Sequence, residues 1–124
     1  MPVIFNYLYR DADNYKSWGT RIFRGTRFPG DLERLQAATE DGEHFVATQV
    51  GLTPQQPGMI SFPSPADHGY HEIPEDETDI EEIETYEGAD LDPRTWAEFL
   101  AEFEAVGPAG WDAVKEAEDL GILT

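Results

Sequence analysis

Acidic side chains cluster in one stretch of this sequence, and their spacing is the feature closest to a functional signal. Eleven carboxylates fall between Glu72 and Asp92, with no lysine or arginine among them. Along a β-strand, residues two apart project from one face about 6.6 Å apart, so Asp79, Glu81 and Thr85 would share a row. Basic side chains that bind phosphate also bind carboxylates. The run therefore predicts a surface that mimics nucleic acid and occupies a basic groove on another protein.

The residues expected to contact such a partner are seven of these carboxylates: Glu75, Asp76, Glu77, Asp79, Glu81, Glu82 and Glu84. A solvated acidic face that keeps a small protein soluble and monomeric is the simpler interpretation of the same run. A patch of like charges costs self-repulsion, which a purely solubilising role does not require. The sequence leaves both interpretations open.

Two histidines three residues apart, His68 and His71, are the next candidates for chemistry. Asp67 and Glu72 flank them, and all four side chains are possible ligands of a divalent metal. A zinc site needs a third or fourth ligand, and His44 is the only other histidine. The spacing matches no metalloenzyme signature. We therefore expect surface or loop histidines, no bound metal and no cofactor.

The segment Asp11–Tyr15 resembles the start of an EF-hand loop. Such a loop needs Gly at its sixth position and Glu at its twelfth. Lys16 and Ile22 stand there instead, so we expect a hairpin turn.

Basic and aromatic side chains are interleaved near the start of the chain, a pattern that can bind single-stranded nucleic acid: Arg10, Tyr15, Lys16, Trp18, Arg21, Arg24 and Arg27. Strand alternation would place Arg21 and Arg24 on opposite faces, and the overall charge of −18 opposes nucleic acid. We therefore expect these cations to pair with the protein's own carboxylates, which would tie the hairpin to the acidic half.

No arrangement of residues indicates catalysis. Ser17, Ser61 and Ser64 lack the G-x-S-x-G context of a nucleophile elbow, and neither of the glycine-rich phosphate-binding motifs occurs. Carboxylate pairs are so numerous that no single pair is informative. We expect a protein without enzymatic activity.

The charge is distributed unevenly along the chain. Residues 1–38 carry six basic and four acidic side chains, net +2, whereas residues 39–124 carry two basic and twenty-two acidic ones, net −20. A halophile's cytosolic protein would also be acidic and poor in lysine, and this chain has only Lys16 and Lys115. Halophilic acidity should cover the whole surface, so the clustering favours a local role.

The length and composition limit the classes of protein to which this chain can belong. The 124 residues predict one domain spanning 1–124, with enough aromatic side chains for a core. Cysteine is absent, which excludes disulfides, thiol catalysis and cysteine-based zinc sites. The start, Met1–Phe5, lacks the features of a signal peptide, and no apolar run is long enough to span a membrane. We expect a cytoplasmic protein.

The predicted elements begin with two strands, Val3–Arg10 and Lys16–Arg24, that form an antiparallel hairpin, the first of them central in its sheet. Trp18, Ile22 and Phe23 are the expected core residues of the second strand. Short strands are also expected at 44–47, 59–62 and 68–73, and a strand is favoured over a helix at 78–86.

Helix signals occur three times. Asp31 is the expected N-cap of a short helix that buries Leu32 and Leu35. A longer helix is expected to begin with Asp92 as N-cap and Pro93 at its first position, and to end at Gly107-Pro108. Its apolar stripe comprises Trp96, Phe99, Leu100 and Phe103.

A last helix at 109–120, with Trp111, Val114 and Ala117 inward, would complete a C-terminal helical hairpin. The predicted fold class is α+β: an N-terminal antiparallel β-hairpin in a small sheet, one short helix and a C-terminal helical hairpin.

Two stretches resemble a pattern in small uncharacterised bacterial and phage proteins. Phe5–Gly19 is similar to F-x-Y-x-Y-R-D-A-x-N-Y-K-x-[WY]-G, and Gly42–Leu52 to G-E-x-F-[IV]-x-x-x-V-G-L. The match covers roughly the first half of the chain and implies no activity. In charge alone, the chain is similar to inhibitors that mimic DNA, such as anti-restriction and anti-CRISPR proteins.

Together these features predict a non-enzymatic acidic protein that inhibits a basic, nucleic-acid-binding protein, such as a phage-defence effector, or acts as a decoy for it. No direct contact with nucleic acid or membrane is expected. The alternative is a small enzyme or ligand-binding domain from an acid-rich proteome, with a site near Asp11, Asn14, Lys16 and His68/His71.

Overall fold

An antiparallel hairpin lies at the centre of the molecule. The computed structural model describes residues 2–60, 62–83 and 91–122. Strand β1 spans Val3–Arg10 and strand β2 spans Lys16–Arg24, and the two pair along their whole length. Both are rich in the β-branched and aromatic residues that pack well on a pleated surface. These bounds confirm the hairpin predicted from the sequence.

Asp11 holds the turn between these two strands. Its Oδ1 accepts hydrogen bonds from the backbone N–H groups of Asp13 and Tyr15, each 2.9 Å long. Asn14 adopts a left-handed φ of 68°, a conformation that Asn tolerates better than most residues. The predicted hairpin turn is therefore confirmed in place of a calcium loop.

Four shorter strands complete a six-stranded mixed sheet: β3 (His44–Phe45), β4 (His71–Glu72), β5 (Ile80–Glu82) and β6 (Leu91–Thr95). The order is β3-β4-β1-β2-β6, and β5 also pairs with β1. Because β2 occupies one edge of β1, β4 and β5 share the other. Strand β6 runs parallel to β2. The central position predicted for β1 is confirmed.

Within residues 2–60, 62–83 and 91–122, three α-helices accompany the sheet: α1 (Asp31–Ala37), α2 (Trp96–Ala109) and α3 (Ala113–Asp119). Together with the hairpin and the C-terminal helical pair, they make the protein α+β, as predicted. The part of the chain that the structure describes has no helix of sufficient length and apolar character to cross a membrane.

An aromatic core joins α2 to one face of the sheet, which we call the inner face. The ring centroids of Phe23 and Phe99 are 4.6 Å apart, and those of Phe5 and Phe99 are 5.2 Å apart. The apolar stripe predicted for this helix is buried in full: Trp96, Phe99, Leu100 and Phe103. Buried aromatic side chains each remove a large apolar area from water, and they dominate the stability of such a core.

The expected role of Asp31 as an N-cap is wrong. Gly30 occupies the N-cap position with a φ of 94°, and Asp31 is the first helical residue. The Asp31 carboxylate is buried and accepts hydrogen bonds from the Phe28 backbone N–H at 2.8 Å and from Trp96 Nε1 at 2.7 Å. The local pattern predicted that the Asp31 side chain would cap the helix, but it binds the Trp96 indole instead.

The beginning of α2 also differs from the prediction. Asp92 and Pro93 belong to β6, and Thr95 is the N-cap, with reciprocal Thr95–Glu98 hydrogen bonds that form a capping box. Asp92 is buried and bound by two arginines, so it is not available to cap. Pairing with β2 keeps these residues extended and delays the helix by three positions.

The predicted stop at Gly107-Pro108 lies inside α2, which ends at Ala109 with Gly110 as its C-cap. A proline in the last turn removes a single helical hydrogen bond. A Cβ on Gly107 would lie 2.3 Å from the Ala38 carbonyl oxygen. Gly107 is therefore needed for the close approach of α2 to the end of α1, rather than for termination.

Helix α3 is shorter than the predicted 109–120 and presents a different face. Asp112 is its N-cap and accepts a hydrogen bond from the Lys115 backbone N–H. Val114, expected inward, is 61% exposed, whereas Glu116 and Ala117 are buried. Trp111 lies before the helix and donates from Nε1 to the Ala38 carbonyl oxygen at 2.9 Å. That tertiary bond sets the orientation of the segment.

The remaining short strands were only partly predicted. The segments at 44–47 and 68–73 contain β3 and β4, and the one at 78–86 contains β5, although residues 84–86 lie outside the described residues. No strand occurs at Met59, Ile60 or Phe62, and the prediction there was wrong. The nearby prolines, which cannot donate to a sheet, favour a loop instead.

Candidate interaction surface

Four exposed carboxylates lie along β5 and the loop before it, at the edge of β1. They are Glu75, Asp76, Asp79 and Glu81, and we call them the acidic edge. Pairing of Ile80 with Phe5 holds this segment against the sheet. Asp76 caps the short turn by accepting a hydrogen bond from the Thr78 backbone N–H. The acidic edge is thus presented by ordered backbone.

Two other predicted contact residues, Glu77 and Glu82, point toward the protein. Glu77 accepts from the Gly30 backbone N–H at 2.7 Å, and Glu82 lies 3.7 Å from Arg27 Nε. Both are half-buried. Glu84, the seventh predicted residue, lies outside the described residues. The short turn before β5 and the alternation within β5 therefore divide the described members of the predicted set into outward and inward ones.

The other side of the sheet, its outer face, carries a row of side chains that crosses four strands. Cross-strand pairs share a face, so the row runs from His44 through Glu72 and Leu8 to Trp18. Glu81 projects from the same face, opposite Ile4. The outer face therefore brings the acidic edge next to aliphatic and aromatic side chains.

Trp18 was predicted to enter the core, and that prediction is wrong. The indole is 62% exposed, whereas Phe23 on the same strand is fully buried. Trp18 and Phe23 are five positions apart, an odd number, so a regular strand places them on opposite faces. Strict application of this alternation, anchored on Phe23, would have located Trp18 on the surface.

A cavity of about 200 Å³ opens on the outer face beside Trp18. Leu8, Trp18 and Pro74 provide apolar walls, and Glu75 and Asp79 contribute carboxylates. Lys16 also lines it. An aromatic surface beside carboxylates suits a guanidinium group, which stacks on aromatic rings and accepts bidentate pairing with a carboxylate.

Most of the protein's cations are neutralised internally. Six of the eight form ion pairs with carboxylates: Arg10 with Glu72, Arg21 with Asp92, Arg27 with Glu82, Arg34 with Glu104, Arg94 with Asp92 and Glu102, and Lys115 with Asp119. The predicted pairing with the acidic half is thus confirmed for Arg10, Arg21 and Arg27 but not for Lys16 or Arg24. Within the described ranges, neither Lys16 nor Arg24 lies within 4.0 Å of a carboxylate oxygen. The uncompensated charge is therefore almost entirely negative.

The most buried of these ion pairs centres on Asp92, whose side chain is 1% exposed. Burial favours its neutral form, but hydrogen bonds from Arg94 and Arg21 outweigh burial and lower the pKa of Asp92 to about 2. Arg21 belongs to β2 and Asp92 to β6, so this pair joins the hairpin to the strand that leads into α2. Its role is to hold the fold, and it is not available to a partner.

His68 and His71 do not form a metal site with each other. His68 Nε2 donates to the Arg10 carbonyl oxygen at 2.7 Å, and its Nδ1 accepts from the Tyr70 backbone N–H at 3.1 Å. His71 is fully buried, and its Nε2 accepts from the Gln55 backbone N–H at 3.0 Å. Burial lowers the pKa of His71 to about 3, so the ring is neutral. Both histidines support the fold.

The alternative site near Asp11, Asn14 and Lys16 is likewise occupied by structural contacts. Asp11 holds the hairpin turn, and Asn14 Oδ1 accepts from Arg10 at 2.6 Å. Lys16 is exposed at the end of β2. His68 adjoins this region through the Arg10 carbonyl, but its ring nitrogens are already engaged.

A second cluster of functional side chains lies at the β3–β4 end of the outer face, and its Glu72 also lines the cavity beside Trp18. His44 on β3 stands opposite Glu72 on β4, and Glu43 precedes His44. One donor atom from each of these three side chains lies within 4.8 Å of the others. Burial and the adjoining Glu72 carboxylate raise the pKa of Glu43. The sequence offered no signal for this cluster, because Glu72 reaches His44 only through strand pairing.

Comparisons with known proteins identified no relative. No protein-family model, no curated protein and no solved structure matches this chain.

Proposed function

We propose that this protein is a non-enzymatic binding protein whose acidic edge occupies a basic groove of a nucleic-acid-binding protein. The observation that carries the proposal is the asymmetry of free charge. Glu75, Asp76, Asp79 and Glu81 are exposed on ordered backbone, while six of eight cations are consumed by internal ion pairs. A partner that approaches the acidic edge therefore meets four exposed carboxylates, with the exposed Lys16 beside them at the cavity wall.

The cavity beside Trp18 adds specificity to this attraction. An arginine of the partner would stack on the exposed indole and pair with Glu75 or Asp79 at the cavity wall. Exposed aromatic side chains bordered by charged ones are typical of positions that dominate binding energy in interfaces. Trp18 is thus the expected anchor, and the acidic edge supplies the long-range field.

The biological role that fits such a surface is an inhibitor or decoy that competes with nucleic acid, acting in the cytoplasm and carried by a phage or mobile element. The resemblance in charge to anti-restriction and anti-CRISPR proteins supports this role. So does the net charge of −18, which disfavours direct binding to nucleic acid or to anionic membranes.

The test is the binding of a nona-arginine peptide by the native protein and by two variants of equal net charge. Binding is measured by calorimetry and by the change in tryptophan fluorescence, to which Trp18, Trp96 and Trp111 all contribute. One carries Glu75→Lys, Asp79→Lys and Glu81→Lys; the control carries Glu33→Lys, Glu40→Lys and Glu118→Lys, all exposed elsewhere. Each triple reversal changes the charge from −18 to −12. We expect the first variant to lose at least about tenfold more affinity than the control.

Equal losses in the two variants would show that the peptide responds only to net charge, and the acidic edge would be rejected as the site. Affinity should also fall steeply with salt, because exposed charges are screened over about 10 Å at 0.1 M ionic strength. Salt-insensitive binding would contradict the electrostatic mechanism.

Identification of the partner uses capture from bacterial host lysate at low and high salt, with double-stranded DNA as competitor. We expect a basic nucleic-acid-binding protein that DNA releases, since both ligands would occupy one groove. Capture that DNA does not affect would argue against mimicry.

A further inference from the structure

We propose that Glu43, His44 and Glu72 form a binding site for a divalent transition metal, with Zn²⁺ as the ion that fits best. The site lies at the β3–β4 corner of the outer face, outside the acidic edge. The inference does not depend on the proposed function.

The sheet brings the three donors together. Pairing of β3 with β4 places His44 directly opposite Glu72, and Glu43 adjoins both. One donor atom from each side chain lies within 4.8 Å of the other two. Donors bound to one zinc ion at about 2.0–2.2 Å stand roughly 3.4 Å apart in a tetrahedron, so zinc binding would draw the three donors together by at most about 1.4 Å.

His44 has a carboxylate partner of the kind that metal-binding histidines use. Its Nδ1 bonds to the Asp41 carboxylate, which places the proton on Nδ1 and leaves Nε2 with a free lone pair when the ring is neutral. Metal-binding histidines commonly donate their second ring nitrogen to a carboxylate, which fixes the ring and strengthens the ligand. Neither His68 nor His71 has this arrangement.

Glu72 gives the site a rigid, buried component. The residue is 6% exposed, and its Oε2 accepts from Arg10 Nε at 3.0 Å. Two adjoining carboxylates repel one another unless a proton or a cation lies between them. A divalent cation beside Glu43 and Glu72 removes that repulsion.

The donor set selects the type of metal. One imidazole nitrogen and two carboxylate oxygens suit Zn²⁺ and neighbouring transition metals, whereas Ca²⁺ and Mg²⁺ prefer oxygen donors alone. A cavity of about 360 Å³ opens beside His44, lined also by Asp41, His68 and Tyr70. It leaves the His44 ring accessible from solvent, and Glu72 lines the separate cavity beside Trp18.

The first experiment is a titration of the full chain with zinc chloride, followed by ¹⁵N NMR of the three imidazole rings. We expect the Nε2 resonance of His44 to shift and saturate at one equivalent, while His68 and His71, the internal controls, stay unchanged. Absence of a His44 shift at millimolar zinc, or equal shifts at all three rings, would overturn the proposal.

The second experiment measures zinc affinity by calorimetry for the native protein, His44→Gln and the control Glu33→Gln, which is exposed on α1. We expect His44→Gln to weaken binding at least about tenfold and Glu33→Gln to leave it unchanged, with circular dichroism showing that both variants are folded. Equal affinity in all three proteins, or magnesium binding as tight as zinc binding, would show only a diffuse cloud of counter-ions around acidic groups.

Discussion

Several carboxylates are buried in this protein, and each is matched to specific donors. Asp31 accepts from the Trp96 indole, Asp92 from two arginines, and Glu116 from the Thr48 hydroxyl at 2.6 Å. A buried carboxylate is costly unless it is paired or hydrogen-bonded. At the residue scale, acidic side chains therefore either stabilise the fold through buried contacts or carry the exposed negative charge. Residue type alone does not reveal which of these two roles a given carboxylate has.

The pH dependence of stability tests the role of Asp92. Its pKa is lowered from 3.8 to about 2 in the folded protein, so the unfolded chain binds the proton first as the pH falls. A difference of one between the folded and unfolded pKa corresponds to about 1.36 kcal/mol of stability. Asp92 therefore contributes about 2 kcal/mol to the free energy of unfolding, and this contribution is present above pH 3.8. It is lost as the pH approaches 2.

Urea denaturation of the native protein and of Asp92→Asn at pH 5 and pH 2.5 provides the measurement. We expect the difference in unfolding free energy between the two proteins to shrink at the lower pH. A difference that is unchanged between these pH values would contradict the assigned pKa.

Gly19 provides a second test at the residue scale. A Cβ at this position would lie 2.4 Å from the Tyr7 ring, and the Tyr7 hydroxyl donates to the Thr53 carbonyl oxygen at 2.6 Å, which restrains the ring. We expect Gly19→Ala to lower the unfolding free energy by about 2 kcal/mol, as overpacked sites do.

Gly58→Ala is the matched control, because its added methyl would make an ordinary 3.5 Å contact with Ser17 Oγ. Chemical denaturation of both variants measures the effect. Similar stability of the two variants would show that the Tyr7 ring can move aside.

At the scale of elements, the strength of local signals determined how well each element was predicted. The long hairpin and the apolar stripe of α2 carry strong patterns that tertiary contacts reinforce. Strands β3 and β4 have two residues each and exist because they pair with one another and with β1. Strands this short have little independent stability, so the sequence indicates extended segments but not their bounds.

The N-terminus of α2 offers a test at this scale. Thr95 and Glu98 form reciprocal hydrogen bonds there. We expect Thr95→Ala to destabilise the protein by about 1 kcal/mol, and Thr95→Ser, which keeps the hydroxyl, to cost clearly less. Thermal and urea denaturation of both variants measure the difference. If both variants lose the same stability, the hydroxyl is not the stabilising group.

At the scale of the whole molecule, charge has two opposing effects. Ion pairs between early cations and later carboxylates connect distant parts of the chain, such as Arg21 with Asp92 and Arg34 with Glu104. The remaining carboxylates repel one another, and a net charge of −18 favours expansion. The balance between these terms depends on ionic strength.

We expect the melting temperature to rise as ionic strength increases from about 0.01 M to about 0.15 M, because the Debye length falls from about 30 Å to about 8 Å. Differential scanning calorimetry across this range, and on into molar salt, measures the response. A plateau below molar salt is expected for a locally acidic protein. A requirement for molar salt would favour the acid-rich, halophile-like alternative instead.

The sequence by itself determined the α+β class, the hairpin and the buried stripe of α2, because periodicity and turn chemistry act over neighbouring residues. It also located the acidic run and predicted that the early cations pair with the protein's own carboxylates. These features depend on residue type and near spacing.

Only the tertiary structure decided which carboxylates face solvent, since Glu77 and Glu82 turn inward to partners in the first third of the chain. In the folded protein, Trp18 lies on the surface and Glu72 lies opposite His44. The Asp31 and Asp92 side chains make tertiary contacts instead of capping helices. Each of these outcomes depends on contacts between residues far apart in sequence, where spacing along the chain carries no information about distance in space.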